Sequence, residues 1–298
     1  MIRILAGLVA IGTLLAWPGQ AQAAESYDSC TGFIESLPAT IATQGTWCLK
    51  NNLSTSITRG NAINIDANNV TIDCNGFKID GVAAGPGTEA TGIRMSYRLN
   101  ATIRNCAIRG FNRGIHLAGS GGGGHLVEDN TIDESRTSGI SISNAPGSII
   151  RNNVVANTGV STNTGPDGPS LEAIHGTGGA LDIVNNTVNG LVTSGGDETN
   201  LRVIGIAIEG GAGGVIAGNR VRGLETIGGS YNSIFGIFAF GSTAIFKNIV
   251  QGATGENAYE AGIACWDSSA SAHENVILGF TTGVQNYCFS GINHTNPN

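Results

Sequence analysis

Thr137–Asn153 reads TSGISISNAPGSIIRNN. Within it, Gly139-Ile140-Ser141-Ile142-Ser143 and Ser148-Ile149-Ile150-Arg151 alternate apolar and polar residues, the period of a strand with one buried face. Ala145-Pro146-Gly147 makes a turn between them, and an Asn pair closes the unit. Moving outward, a small residue followed by Ile or Val heads the same unit at Ala62, Gly92, Gly114, Gly139, Ala173, Gly205, Gly236, Gly262 and Gly283. The heads lie 21 residues apart at the closest (Gly262 to Gly283) and 34 at the widest (Gly139 to Ala173). A constant unit with variable additions is the pattern of a solenoid. No unit carries a long helical stripe, which argues against leucine-rich or ankyrin-type repeats. The expectation is an all-β solenoid of about nine coils.

A second register runs inside the units. Asn130, Asn153, Asn186, Asn219, Asn248 and Asn275 each follow one short strand and precede another. Stacked one per coil, their amides would bond up and down as a ladder. Asn also tolerates left-handed backbone, so these residues are expected to make the turn themselves.

The order GIxI, turn, xIxxN, xVxxG resembles the right-handed parallel β-helix of the pectate-lyase-like superfamily. Asn69-Val70-Thr71-Ile72-Asp73-Cys74-Asn75-Gly76 is similar to a segment common near the start of such domains. The resemblance runs from about Cys48 to the C-terminus. It implies a substrate cleft along the first sheet, bounded by inserted loops. It does not imply one reaction, because this fold hosts lyases, hydrolases, epimerases and proteins without activity.

The long additions, 156–171, 189–203, 223–234 and 252–260, all enter after the third strand of a coil. They are expected to stack as a wall of loops beside the first sheet. Alternation assigns the outward columns of that sheet. One runs Asn64, Arg94, His116, Ser141, His175, Ala207, Phe238, Ala264, Gln285; the next runs Asp66, Ser96, Ala118, Ser143, Thr177, Glu209, Phe240, Trp266, Tyr287. The face therefore grades from polar and basic to aromatic. Phe238, Phe240, Trp266 and Tyr287, with Asp267 at their edge, form a candidate platform for a sugar ring. Whether the aromatics are open or covered by the insertions is left open.

His175 with Glu209, and Arg94 with His116, are the candidate catalytic groups, with Glu172 and Asp182 nearby. Imidazole suits proton transfer near neutral pH. A lyase would also need a cation against a uronate, whereas a hydrolase would need two carboxylates. The polygalacturonase-like and alginate-epimerase segments are absent. No acidic cluster suits Ca²⁺, which takes six to eight oxygens, and no other cofactor is evident. A glycan-depolymerising enzyme and a non-catalytic glycan-binding β-helix both remain.

Met1–Ala23 reads as a signal peptide: Arg3, an apolar run from Ile4 to Trp17, Pro18, then Ala21-Gln22-Ala23. A secreted or periplasmic protein follows, with no membrane segment after cleavage. Residues 24–60 are expected to cap the solenoid, with a short helix from Ser29 to Ser36, and 61–298 to form it. Gly291–Asn298 reads as a polar tail. A net charge of −7 disfavours nucleic acid. It also opposes long-range capture of a polyanion, though a local basic patch acts within a Debye length. The repeat pairs the six cysteines as Cys30–Cys48, Cys74–Cys106 and Cys265–Cys288, with Cys265 as a plain core thiol the alternative.

Overall fold

The computed structural model describes residues 27–119, 122–159, 170–195, 200–229, 231–255, 258–267, 269–285 and 287–296. Met1–Ala23 lies outside them. The strands pair in parallel, coil upon coil, in sheets of nineteen and ten strands. A typical winding is Arg113–Ala118, Leu126–Glu128 and Thr131–Asp133, the first, second and third strands of one coil. Third strands make the ten-stranded sheet. First and second strands join because Arg202–Ala217 and Asn232–Phe246 each run through both. Left-handed Gly210, Gly213 and Gly241 bend the chain within those long strands.

The nine head residues stack as one row. Ile63, Ile93, Ile115, Ile140, Ile174, Ile206, Ile237 and Ile263 pair in succession and are fully buried, with Val284 after them. The residue before each is small because its Cβ direction is occupied. At Gly139 a methyl would lie 2.4 Å from Val155 Cγ1 and 2.8 Å from the Ala173 carbonyl oxygen. At Gly236 it would lie 2.1 Å from Val250 Cγ1 and 2.6 Å from the Gly262 oxygen.

The Asn ladder is continuous. Asn153 Nδ2 donates to Asn186 Oδ1 at 3.0 Å, Asn186 to Asn219 at 3.1 Å, Asn219 to Asn248 at 3.0 Å and Asn248 to Asn275 at 2.9 Å. Each amide also takes a carbonyl one coil back, as Asn186 Nδ2 takes Ile150 O at 2.9 Å. The left-handed residue, however, is the one before the ladder position: Asp129, Asn152, Asn185, Gly218, Lys247 and Glu274. That residue turns the chain, and the ladder Asn then points inward from extended backbone. The column extends at both ends. Cys106 N donates to Asn130 Oδ1 at 3.0 Å, so Cys106 holds the same slot, and its disulfide to Cys74 replaces the amide contact. Asn275 Nδ2 donates to Asn293 Oδ1 at 2.9 Å.

The ends differ from expectation. Winding starts before residue 61: Ala39–Ile41, Gly45–Leu49 and Leu53–Ser54 already make a coil. No helix covers Ser29–Ser36. Gly32–Ile34 is instead a strand on Trp47–Leu49, because the first coil exposes hydrogen-bonding groups that an extended segment can satisfy. At the far end His294–Asn296 pairs with Val276–Leu278, so much of the polar tail is a last third strand. All three cysteine pairs are disulfides, with Cα separations of 5.9, 4.7 and 5.1 Å. Among the described residues no helix is long and apolar enough to cross a membrane.

Candidate active site on the first sheet

The stacking of first strands brings the expected column together. Asn64, Arg94, His116, Ser141, His175, Ala207, Phe238 and Ala264 are cross-strand neighbours in turn. Thr177, Glu209 and Phe240 form the parallel row. A third row was missed by strict alternation. Arg113, Ser138, Glu172, Ile204, Phe235 and Ala261 pair in succession three residues before the first column. Residues three apart share a face only if alternation breaks between them. It breaks at the small head residue, and that residue was the available signal.

Glu172 and His175 meet for this reason: His175 Nδ1 lies 3.2 Å from Glu172 Oε2. On the next coil Glu209 Oε2 stands 3.9 Å from His175 Nε2. That is an ion-pair distance rather than a hydrogen bond, and the buried Nε2 has no hydrogen-bond partner. Arg202 Nη2 closes on Glu209 Oε1 at 3.4 Å. Burial lowers the His175 pKa, but Glu209 and Glu172 together outweigh it and leave the imidazole above its ordinary value. Glu209 is held below its ordinary value, by His175 first and then Arg202, against the opposing effect of burial.

His116 behaves in the opposite way. Arg94 Nη1 donates to its Nδ1 at 2.6 Å, and Arg113 Nη1 lies 3.3 Å from the same atom. A guanidinium only donates, so Nδ1 is an acceptor and the proton of the neutral ring sits on Nε2. Burial, followed by the charges of Arg113, Arg94 and His175, lowers the His116 pKa to about 4. With its Nδ1 lone pair engaged, His116 is a hydrogen-bond donor and not a base.

Two recesses flank His175. A polar one of about 260 Å³ is lined by Arg113, Thr137, Ser138, Ser141, Glu172 and His175, with Ser170. An aromatic one of about 250 Å³ lies against Arg202, Glu209, Phe238, Phe240 and Trp266. The aromatic platform is part covered and part open. Phe238 is 5 % exposed and belongs to a separate apolar cluster with Ile204, Ala207, Phe235, Ala261 and Ala264. It forms the floor, with Arg202 over its ring and Trp266 edge-on at 6.1 Å. Phe240 and Trp266 are exposed. Tyr287 does not continue the row, because the strand ends at Val284 and the chain turns. Asp267 bonds the Ser269 N–H and hydroxyl within its own turn. Asp182 lies on a second strand, Leu181–Val184, away from this face.

The insertions form a wall of extended strands more than loops. Thr158, Leu191, Leu224 and Ala253 pair across four coils as prolongations of the third strands. Residues 160–169, 196–199, 230 and 256–257, which complete the insertions, lie outside the described residues.

Glu172, His175 and Glu209 each place one ligand atom within 4.8 Å of the others. Two carboxylates and an imidazole suit a transition-metal dication, and they supply too few oxygens for Ca²⁺. Alternation paired His175 with Glu209 and left Glu172 only nearby; its place on the same face depends on the break at the small residue before Ile174.

Solved structures resemble the chain. XylC in complex with xylose is 14 % identical over 76 % of this chain and 38 % of its own, with a TM-score of 0.46. A mutant DFA-IIIase from Arthrobacter chlorophenolicus A6 in complex with DFA-III is 13 % identical over 84 % and 61 %, with a TM-score of 0.44. The chain thus spans less than two thirds of these proteins' own lengths. The mannuronan C-5 epimerase AlgE4 A-module of Azotobacter vinelandii is 12 % identical over 89 % and 80 %, with a TM-score of 0.51. At 12 % identity the likeness to the epimerase module shows the fold alone. No curated protein sequence matches. The family model described as right handed beta helix region matches residues 40–203, more than half the chain, and the protein belongs to that family.

Proposed function

We propose that the protein is a carbohydrate-active β-helix that takes a polysaccharide along the outer face of its first sheet and moves a proton on it through His175. The observation that carries this reading is the His175 group between a polar and an aromatic recess. The Glu172 carboxylate stands 3.2 Å from Nδ1, and Nε2 faces Glu209 at 3.9 Å. The shared environment pushes the two titrations apart, His175 upward and Glu209 downward. A raised imidazole beside a carboxylate held low is a pairing suited to proton transfer. Phe240 and Trp266 offer flat apolar faces for a ring, with Arg202 and Glu209 as polar edges. Three disulfides are of the kind kept in oxidising compartments and support a secreted or periplasmic site of action.

A second reading is favoured by the same aromatics. An exposed Trp beside an apolar floor binds sugars without chemistry, as a non-catalytic glycan-binding module would. Incubation with uronic and neutral polysaccharides separates the two. Catalysis appears as unsaturated product absorbing near 235 nm or as new reducing ends, and His175→Gln removes it while binding persists. Binding without either product, across the panel, leaves the module reading.

A further inference from the structure

The geometry points to an oxyanion subsite on Arg94 and Arg113, which would take one carboxylate or sulfate group of an acidic glycan. This deepens the functional reading above and rests on it for the word glycan; the anion site itself does not. Arg94 and Arg113 stand on adjacent coils and converge on one acceptor, His116 Nδ1. Both are half-buried. Among the described residues no carboxylate lies within ion-pair distance of either. Arg59, Arg98, Arg104, Arg109, Arg151 and Arg202 each hold an acidic partner; what sets Arg94 and Arg113 apart is that two guanidiniums without one meet at a single acceptor.

The nearest acidic group, Glu172, is already engaged with His175. The neutral His116 ring satisfies one donor and contributes no negative charge. Two guanidiniums with most of their ten N–H donors unspent thus repel each other in a partly desolvated place. Burial, then the Arg94 charge, lower the Arg113 pKa from its ordinary value, and the more distant Glu172 charge offsets this only in part. An oxyanion bridging the two would relieve that repulsion and could accept several charge-assisted hydrogen bonds.

The space for it is present. Arg113 borders the polar recess, where Ser141, on the next coil, adds a hydroxyl, while the Ser138 hydroxyl is turned to the Ile140 carbonyl. The recess leads to His175, so an anion held by Arg113 would orient the ring to which it is attached. Coils about 4.8 Å apart put His175 roughly 10 Å beyond His116. The subsite also answers the charge problem of the whole chain. A net −7 repels polyanions at long range, but a local cationic pair acts within a Debye length.

The experiment follows imidazole resonances of the full-length mature protein by NMR while four probes are added: sodium sulfate, a galacturonate trimer, a sulfated galactose trimer and a neutral glucose trimer. The expected result is a saturable shift at His116 with sulfate and with at least one anionic sugar. Arg94→Gln is expected to weaken that response at least tenfold, and Arg113→Lys to weaken it less. The galacturonate and sulfated arms distinguish carboxylate from sulfate ester. Thermal unfolding of each variant controls for folding. If sulfate binds and no sugar does, the oxyanion site stands and the carbohydrate reading fails. If the neutral trimer binds as tightly as the charged ones, the carbohydrate reading stands and the oxyanion subsite is overturned. No response to any anion also overturns it, as does an unchanged response in a folded Arg94→Gln.

Discussion

Two columns, each one residue wide per coil, run the length of this molecule, and they differ in what they repeat. Inside, the slot after the second strand holds Cys74, Cys106, then Asn at 130, 153, 186, 219, 248, 275 and 293. Outside, the first sheet presents Arg94, His116, Ser141, His175, Ala207 and Phe238, with a change of chemistry on nearly every coil. The interior slot must repeat because each amide is the hydrogen-bond partner of the next. An outward side chain need not match its neighbour above for the coil to form, so the same scaffold can carry a cationic pair, an acid–base group and an aromatic floor in sequence.

The contrast breaks most visibly at the centre of the interior column. Asn186→Ala would strip a partner from Asn153 N–H and Nδ2, from the Ile150 carbonyl and from Asn219 Oδ1. Buried groups left unpaired cost about 1–3 kcal/mol each, so the loss should be roughly 4 kcal/mol in urea unfolding. Asn293→Ala, at the half-exposed end, should cost about 1 kcal/mol. Equal losses at both sites would mean that the amides act singly and that no column exists.

Acid sharpens the comparison next. His125 is 1 % exposed, its Nδ1 accepts from Ala101 N–H, and its Nε2 is unpartnered. Burial alone lowers its pKa from 6.5 to about 4. Between those values the unfolded chain binds the proton that the folded chain refuses. Stability should therefore fall as pH drops from about 6.5 to about 4, by about 3 kcal/mol from this group. His116, on the outer face, has the same low pKa, but it owes part of it to two arginines. His175 has the opposite sign: its raised pKa gives stability below about 6.5 that is lost as pH rises through its folded value. Adding 0.5 M salt in an NMR titration should raise the His116 pKa and leave that of His125 in place. A rise at both would show that charge reaches the interior.

The interior was almost fully legible in the sequence, and the reason is the repetition itself. A residue that recurs at one height in every coil declares its place, so the Ile row, the Asn ladder and the disulfides could be read before any fold was seen. Asn293 and the left-handed residue before each ladder position escaped, the first because the last coil is short and the second because that slot holds Asp, Asn, Gly, Lys and Glu in turn. The outer face was legible only along strict alternation. Glu172 and Arg113 came into view through the break at the small head residue, a packing effect that period-2 reading cannot see. Alternation placed Phe238 but not its exposure, because burial there depends on Phe235, Trp266 and Arg202 converging from three coils.

The smallest expected effect on stability is also the clearest for function. Trp266 is 70 % exposed and touches the floor only edge-on, so Trp266→Ala should change unfolding free energy by no more than about 0.5 kcal/mol. If a sugar ring rests on that face, the same change should weaken glycan binding about tenfold, near 1.4 kcal/mol. Phe238→Ala reverses the ranking. It empties the buried floor, costs about 3 kcal/mol of stability and loses binding only through that collapse. Calorimetric titration of both variants at a temperature where each is folded tests the division. Weaker binding in the Phe238 variant than in the Trp266 variant would move the sugar contact from the exposed indole to the floor beneath it.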